Sequence, residues 1–405
     1  MCIRDRYIGG YTVKEGDFIS ISGYTGEIYL GKVELSAPQF DKNLKKFVKW
    51  CQDIKRLKVR MNADTPADAK LGKSFGAEGI GLCRTEHMFF QKDKIWTIRQ
   101  MILSNEPKEV KAALEKMHQM QKEDFKNIFT VVEEGTVIVR LLDPPLHEFL
   151  PKEAKDKQKM AEILGVSLEE IERRIVNLKD ENPMLGHRGC RLAVTRPELY
   201  NMQARAIIEA AIECIKNGCT KLLPEIMLPL IIGAKELQFI KRNIEGEIKR
   251  VLQENNINIE YKIGTMMETP RACLLADEIA RDVDFFSFGT NDLTQTTMGL
   301  SRDDSVKFMT EYYENGILKV EPFATIDERG VGKLVKLATE LGRRTKPELE
   351  IGICGEHGGD PQSIDFFESV KLDYVSCSPF RVLVAIVAAA QAKLKAYKGI
   401  DYKWI

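Results

Sequence analysis

The chain has 405 residues, of which 44% are hydrophobic, and its 60 basic and 60 acidic side chains cancel, which excludes a general electrostatic attraction to nucleic acid or anionic membranes. The longest apolar stretch, residues 382–390, is far shorter than the roughly 20 residues that cross a bilayer. The nine cysteines form no C-x-x-C pair, which argues against a disulfide framework or a structural zinc site and predicts a cytoplasmic globular protein.

The N-terminal part of the chain differs in composition from the rest. Residues 1–6 have neither a signal-peptide core nor transit-peptide character, and we expect them to be an assembly scar at the edge of a truncated reading frame. Residues 7–35 contain several turn signals and predict two or three short antiparallel strands, too few to fold alone. From about residue 41 to 57, apolar residues recur at helical spacing. We therefore predict a remnant of a small β-rich domain at 1–35, a linker helix at 36–56 and one large domain at 57–405.

In the large domain, eight short apolar runs alternate with longer helical stretches. The runs are residues 57–64, 79–86, 136–143, 222–229, 261–268, 283–292, 349–356 and 374–379. Eight strands separated by helices predict an α/β fold, the (β/α)8 TIM barrel. Thr65-Pro66 and Thr269-Pro270 supply helix N-caps directly after two of the runs. The longer segments at about 87–130 and 144–185 predict helical insertions.

Two carboxylates stand where adjacent strands of such a barrel would end. Active sites of this fold lie at the carboxyl ends of the strands, and Glu268 and Asp292 close the fifth and sixth runs. A pair of carboxylates in that position can share one hard divalent cation, and magnesium is favoured because it prefers oxygen ligands. The alternative is that each carboxylate caps the following helix or pairs with an arginine.

Arginines gather on the other side of the predicted mouth. Arg84 and Arg140 belong to the second and third runs, and Arg188 lies in a loop before a helix. Their planar, forked donors suit a phosphate or carboxylate group. Rim arginines also commonly bridge strand ends, and this structural alternative stays open, above all for Arg188.

A possible substrate cradle and a possible acid complete the predicted mouth. Gly289, Thr290 and Asn291 precede Asp292 and offer backbone donors and a carboxamide. Cys354 is followed by a glycine-rich segment, and a thiol with an ordinary pKa of about 8.5 could give a proton to an enolate carbon. By composition alone, a buried packing role is the more common fate of a free cysteine. Cys83, Cys190 and Cys377 are interpreted as packing residues, and His357 as a hydrogen-bonding residue.

Five long segments, in unbroken order, resemble the pyruvate, phosphate dikinase family. They are residues 81–89, 140–149, 182–192, 287–295 and 352–361. The resemblance runs from about residue 7 to the end of the chain. It implies a barrel that binds phosphoenolpyruvate (PEP) or pyruvate, and it identifies residues 7–35 with the last strands of the family's mobile phosphohistidine domain.

The resemblance also implies roles for the residues of the predicted mouth. Arg84 and Arg140 would hold the transferring phosphoryl group, and Asp143 would orient these arginines. Glu268 and Asp292 would bind Mg²⁺, while Gly289, Thr290 and Asn291 would contact the substrate. Cys354 would protonate the pyruvate enolate. The implied cofactor is Mg²⁺, and the implied assembly is a homodimer formed through this domain.

The chain departs from the family pattern in one respect, and other readings stay open. It contains neither the phosphohistidine segment nor the ATP-binding domain, so we expect it to bind PEP or pyruvate without completing the dikinase cycle. PEP synthase and the phosphotransferase-system enzyme I would share the barrel and most of the site. A magnesium-dependent lyase of the citrate-lyase type and a non-catalytic PEP-binding barrel are further alternatives.

Overall fold

The computed structural model describes residues 6–22, 25–34, 41–91 and 93–398. The chain divides into two units, Met1–Phe47 and Val48–Ile405. The proposed boundary between residues 35 and 36 lies outside the described residues, and so does all but the last residue of the N-terminal scar. The division at 1–35, 36–56 and 57–405 therefore stays a prediction.

The first unit contains two antiparallel hairpins. They pair β1 (Arg6–Ile8) with β2 (Tyr11–Val13) and β3 (Ile19–Ile21) with β4 (Ile28–Leu30). The first hairpin turns at Gly9-Gly10, where both residues have positive φ, a conformation that glycine adopts without steric cost. Two or three strands were predicted here, but the structure has four. Strands of three residues are too short to show an alternating pattern, so their number could not be predicted.

The second unit is built on a closed barrel of eight parallel strands. Its strands are β5 (Lys58–Asn62), β6 (Gly79–Arg84), β7 (Gly135–Arg140), β8 (Leu222–Leu228), β9 (Lys262–Met267), β10 (Phe285–Phe288), β11 (Glu350–Ile353) and β12 (Tyr374–Cys377). The ring closes through pairing of β12 with β5, and each of the eight predicted runs corresponds to one strand, although β7 begins one residue before its run. The predicted (β/α)8 architecture is confirmed.

One helix comes before the barrel strands in the chain, and the later helices join these strands or follow the last of them. They are α1 (Lys42–Ile54), α2 (Pro66–Ser74), α3 (Thr85–Phe89), α4 (Ile95–Leu103), α5 (Pro107–Val132), α6 (Ala154–Leu164), α7 (Leu168–Leu178), α8 (Cys190–Thr195), α9 (Pro197–Lys216), α10 (Ala234–Glu254), α11 (Pro270–Leu274), α12 (Ala276–Ala280), α13 (Thr290–Met298), α14 (Arg302–Ser305), α15 (Met309–Glu314), α16 (Val331–Thr345), α17 (Pro361–Ser369) and α18 (Val382–Lys398). Short 3₁₀ turns occupy Leu146–Phe149, Glu356–Gly359 and Pro379–Arg381. Thr65 and Thr269 cap α2 and α11 as expected, by accepting from Asp68 N and Ala272 N. Among the described helices, none has the length and apolar character needed to cross a membrane.

The chain after β10 differs from the prediction. The sixth run was expected to be strand through Asp292, but β10 ends at Phe288 and α13 begins at Thr290. Asp292 therefore lies in the first turn of a helix, and it reaches the mouth from that helix rather than from the strand. Between α13 and α16 the chain also forms α14 and α15, which are too short for apolar periodicity to reveal.

Strand alternation separates the packing inside the barrel from the packing outside it. In β7, Val137 and Val139 join the large core shared with the helices, whereas Ile138 belongs to a separate buried cluster. That second cluster fills the lumen of the barrel with Leu82, Ile138, Met227, Met266, Phe285, Cys354 and Tyr374. The lumen is therefore a packed core, and ligands can approach only its mouth.

Gly352 makes room in the lumen for the largest of these side chains. It lies between Ser287 of β10 and Tyr374 of β12 in the strand ladders. A Cβ atom at Gly352 would collide with the Tyr374 ring. The missing side chain lets this ring lie across β11 inside the barrel.

We expect Gly352→Ala to destabilise the fold by about 1 to 3 kcal/mol, because the added methyl group overpacks the lumen. The measurement is thermal unfolding of the purified variant. Gly246→Ala is the matched control, since its Cβ would meet no atom within 4 Å and α10 gains a better helix former. Equal melting temperatures for the two variants would contradict the packing described for Tyr374.

Candidate active site

Alternation along the strands sends four of the predicted site residues to the lumen side of the mouth. Arg140 follows Ile138 by two residues, and Glu268 follows Met266 by two, so each shares the face of a lumen side chain. In the same way, Cys354 lies two residues after Gly352 and Gly289 lies two residues after Ser287, so both share the lumen face of their strands. Each of these four strands therefore contributes one residue to the mouth of the barrel.

Glu268 and Asp292 bring two carboxylates together at this mouth. Glu268 is buried, and its Oε1 accepts a hydrogen bond of 2.6 Å from the backbone N of Leu230. Burial raises the pKa of Glu268 well above its ordinary value, and the charges of Asp292 and Asp143 raise it further. A Cβ atom at Gly289 would collide with Glu268 Oε2, so glycine is required for this approach of β10 to the carboxylate. Burial and the neighbouring carboxylates therefore disfavour the ionised form of Glu268.

The carboxylate pair fits a magnesium ion. Throughout the described ranges, no group of three or more His, Cys, Asp or Glu side chains could hold a metal ion alone. Magnesium needs no such cage, because it commonly takes one or two carboxylates and fills its remaining positions with water and substrate oxygens. A divalent cation would also relieve the repulsion that raises the pKa of Glu268. Glu268 and Asp292 are the residues that would hold it.

Arg140 and Arg188 enclose Asp143 in a buried ion network. Asp143 Oδ2 lies 3.0 Å from Arg140 Nη1 and 2.5 Å from Arg188 Nη2. Burial alone would raise the pKa of Asp143, but the two guanidinium groups hold it below its ordinary value. Arg140 also donates to Glu86, and Arg188 Nη2 reaches Asp292 Oδ2 at 3.3 Å. Arg188, whose role was left open from the sequence, joins the arginine side of the mouth to the carboxylate side.

Arg84 remains available to bind an anion. It is the register partner of Arg140 across β6 and β7, so both side chains leave the barrel at the same level. Its only ion pair in the described part of the chain is a long contact of 3.9 Å between Nη1 and Asp64 Oδ2. Asp64 also accepts a 2.5 Å hydrogen bond from the Arg84 backbone N and lies 2.7 Å from His87 Nδ1. Asp64 therefore anchors the Arg84 backbone while leaving most of its guanidinium donors unused.

Cys354 lies buried at the top of the lumen. Its Sγ is 3.8 Å from the carbonyl oxygen of Phe288, and its backbone carbonyl accepts a bond of 3.2 Å from Asn62 Nδ2. Burial raises the pKa of the Cys354 thiol to about 11. The thiol is consequently protonated at neutral pH, which suits a proton donor better than a nucleophile.

Two hydroxyl groups, which were not predicted from the sequence, lie below Cys354 in the lumen. Ser287 and Tyr374 flank Gly352 in the strand ladders, and both side chains are fully buried. Hydrogen bonding by Ser287 counteracts, in part, the rise that burial produces in the pKa of the Cys354 thiol and in the pKa of Tyr374, so the two hydroxyl groups mark a polar spot beneath the thiol. The available signal was a serine within an otherwise aromatic strand, Phe285–Phe288.

The remaining predicted residues line the same rim. Thr290 is buried in the first turn of α13, and Asn291 Oδ1 accepts a bond of 3.2 Å from Glu356 N. A cavity of about 580 Å³ opens beside them and is lined by Asp143, Arg188 and Asp292, among others. All nine residues predicted for the site therefore stand at one end of the barrel. Cys83, Cys190 and Cys377 are buried.

Comparisons with known proteins show what the chain is similar to. The profile of the family described as PEP-utilising enzyme, PEP-binding domain, matches residues 39–394. The chain is 50% identical over 383 residues to pyruvate, phosphate dikinase of Rhizobium meliloti and 49% identical over 387 residues to that of Clostridium symbiosum. These alignments cover 95% and 96% of this chain but only 43% and 44% of the relatives. The chloroplastic pyruvate, phosphate dikinase of Flaveria trinervia is 51% identical, over 95% of this chain and 40% of its own length.

The chain thus spans less than half the length of the curated relatives that it matches. The resemblance predicted from the five segments is confirmed. Among solved structures, RipC from Yersinia pestis superposes with a TM-score of 0.37 at 10% identity, over 84% of this chain and 96% of its own, and adds nothing to the assignment.

The raised pKa of Cys354 predicts the pH dependence of its alkylation. Because only the thiolate reacts, we expect the rate to rise about tenfold per pH unit from pH 7 to 9.5 without a plateau, whereas a free thiol of pKa about 8.5 levels off. Iodoacetamide labelling of the Cys354 peptide, followed by mass spectrometry, measures it. The shape of the curve is informative even if burial slows the absolute rate. A plateau below pH 9 would contradict the assigned environment.

Proposed function

Because the chain belongs to the family of PEP-utilising enzymes, whose PEP-binding domain it matches, we propose that it catalyses phosphoryl transfer between PEP and a histidine on another domain, with pyruvate as the other product. This is the pyruvate half of the dikinase reaction, in which ATP, pyruvate and phosphate give AMP, PEP and diphosphate. The observation that carries the proposal is the convergence, at one barrel mouth, of arginines, a carboxylate pair and a protonated thiol.

Arg84 and Arg140 bind the phosphoryl oxygens in this proposal. A guanidinium group can donate two parallel hydrogen bonds to a phosphoryl group, and two such groups neutralise charge without moving during the reaction. Asp143 supports this role, because its contacts with Arg140 and Arg188 hold both side chains in fixed orientations. Phosphoryl transfer depends mainly on positioning and charge stabilisation, which these residues supply.

Glu268 and Asp292 hold the metal in this proposal. Magnesium, when bound, would stabilise negative charge on the enolate and carboxylate oxygens of the substrate. Gly289, Thr290 and Asn291 lie beside the pair and contact the substrate carboxylate. Binding of the cation would favour the ionised form of Glu268, which burial and the neighbouring carboxylates disfavour.

Cys354 supplies the proton. When the P–O bond of PEP breaks, the phosphoryl group passes to a histidine nitrogen and the bonding electron pair stays on the enolate oxygen. The enolate carbon then takes the proton from the Cys354 S–H bond, leaving a thiolate and pyruvate. In the opposite direction the thiolate removes a methyl proton from pyruvate. General acids of this kind typically contribute about 10² to 10⁴ in rate.

The proposal extends to the parts of the family's enzyme that the matched relatives share. The partners would be a phosphohistidine domain and an ATP-binding domain, with residues 1–35 as the end of the former and 36–56 as the linker. The chain would act in the cytoplasm as a homodimer. The names of the relatives favour the dikinase over PEP synthase or enzyme I.

The carboxylate pair Glu268 and Asp292 leads to a prediction about PEP binding. We expect the purified chain to bind PEP in the presence of MgCl₂ and much more weakly without it, as measured by isothermal titration calorimetry. Glu268→Gln and Asp292→Asn should each abolish the magnesium-dependent part. Asp284→Asn is the matched control, because this carboxylate precedes β10 at the opposite end of the strand from Asp292. Magnesium-independent binding, unchanged in the site variants, would refute the metal assignment.

The Cys354 thiol leads to a prediction about proton transfer to the enolate. We expect the chain with Mg²⁺ to accelerate ketonisation of enolpyruvate, released from PEP by a phosphatase and followed by the ultraviolet absorbance of the enol. Cys354→Ala should reduce this acceleration by about 10² to 10⁴-fold while PEP still binds. Cys214→Ala, in the buried core of α9, serves as the control. If Cys354→Ala retains the full acceleration, the thiol is not the acid.

A further inference from the structure

His357 connects three segments of the rim from a completely buried position. It lies in the 3₁₀ turn Glu356–Gly359, three residues after Cys354, with no exposed surface. One ring nitrogen, Nε2, is 2.9 Å from the carbonyl oxygen of Pro322, and the other, Nδ1, is 2.7 Å from Thr290 Oγ1. Both ring nitrogens are therefore engaged.

These two partners determine where the ring carries its proton. A backbone carbonyl can only accept, so Nε2 must donate to Pro322. In the neutral ring Nδ1 is then the acceptor, and Thr290 must donate its hydroxyl proton to it. The Thr290 hydroxyl is thereby fixed in direction, as a donor to the His357 ring. Burial lowers the pKa of His357, which is consistent with a neutral ring beside Glu356, Asp360 and Arg302.

The contact with Thr290 lies where the segment after β11 packs tightly against the start of α13. A Cβ atom at Gly355 would collide with Thr290 Oγ1 and would lie 2.9 Å from Thr290 N. A second bond, from Glu356 N to Asn291 Oδ1, joins the same two segments. The segment that bears the thiol is thus fastened directly to the segment that bears Thr290 and Asn291.

Pro322 adds the third segment. It lies between α15 and α16, in the excursion that follows α13. If an apolar side chain replaced the imidazole, both the Pro322 carbonyl and the Thr290 hydroxyl would lose a buried partner. The ring therefore does more than fill space, because both of its polar atoms act on backbone or side chains of the rim.

We propose that His357 is a positioning residue, which fixes the Thr290 hydroxyl and the first turn of α13 in register with the Cys354 segment so that the substrate carboxylate is held in reach of the thiol. This inference rests on the proposed function, since it concerns the same substrate. His357 itself touches no reacting atom. Its effect is transmitted through Thr290.

The test measures the affinity of the full chain for PEP in MgCl₂ by calorimetry. We expect His357→Phe to weaken binding by about 5- to 150-fold, the factor that corresponds to leaving a buried hydrogen-bonding group unpaired. His357→Asn can keep an acceptor near the position of Nδ1, and His357→Gln can keep a donor near that of Nε2. We expect Asn to restore most of the affinity and Gln to restore little.

A double-mutant cycle with Thr290→Val separates positioning from general damage. If His357 acts through Thr290, the two substitutions together should weaken binding little more than the larger single effect. His118→Phe is the matched control, because His118 is equally buried but contacts Glu209 between α5 and α9. It should lower the melting temperature and leave PEP affinity unchanged.

The outcomes are distinct. If the unaltered chain does not bind PEP, the proposed function fails, and this inference fails with it. If the unaltered chain binds but His357→Phe binds equally well, or the cycle is additive, the inference fails alone. If His357→Phe does not fold, the Asn and Gln variants decide, and recovery by Gln without recovery by Asn overturns the role assigned to Thr290.

Discussion

Charge balance at the mouth of the barrel is the constraint on which the rest of the site depends. Asp143 and Asp292 lie within 3.3 Å of guanidinium nitrogens, whereas Glu268 has no ion pair among the described residues and accepts only a backbone hydrogen bond. Buried carboxylates without an ion-pair partner are costly, so a cation bound at Glu268 would offset part of that cost. The arginines therefore keep Asp143 ionised, and they leave Glu268 without an ion pair in the described part of the chain.

Much of this arrangement could be predicted from the sequence, because it follows from the carboxyl ends of strands. Glu268 and Cys354 follow β9 and β11 directly, and Arg140 ends β7, so finding the apolar runs was enough to bring them together. Asp292 was placed at the correct end of the barrel but on the wrong element, since α13 begins two residues after β10 ends and no hydrophobic period marks that boundary. The partners of Arg188 could not be predicted, because a loop residue acquires its contacts only from the folded positions of Asp143 and Asp292.

The polar spot below the thiol shows a second limit of sequence reasoning. Ser287 and Tyr374 are far apart in the chain, and only the register of β10, β11 and β12 places them on either side of Gly352. The apolar lumen around them explains why the pKa of Cys354 is raised, because an apolar environment disfavours the thiolate. Cys354 therefore packs like a small apolar residue and, because its pKa is raised, also keeps its proton at neutral pH. The packing interpretation and the catalytic one do not compete.

The closed ring also separates the two kinds of chemistry that the proposed reaction needs. Arg84 and Arg140 stand on β6 and β7, while Cys354 follows β11, which lies three strands from β6 in one direction and four from β7 in the other. In the proposed reaction, phosphoryl charge would be stabilised on one side of the mouth and the proton would be delivered from the other. For a three-carbon enolate, whose oxygen and terminal carbon react at opposite ends, this separation lets each group act without disturbing its neighbour. A substrate fixed by its carboxylate between the two sides needs no movement between the steps, so rigidity of the rim, rather than its flexibility, is what the proposed chemistry requires.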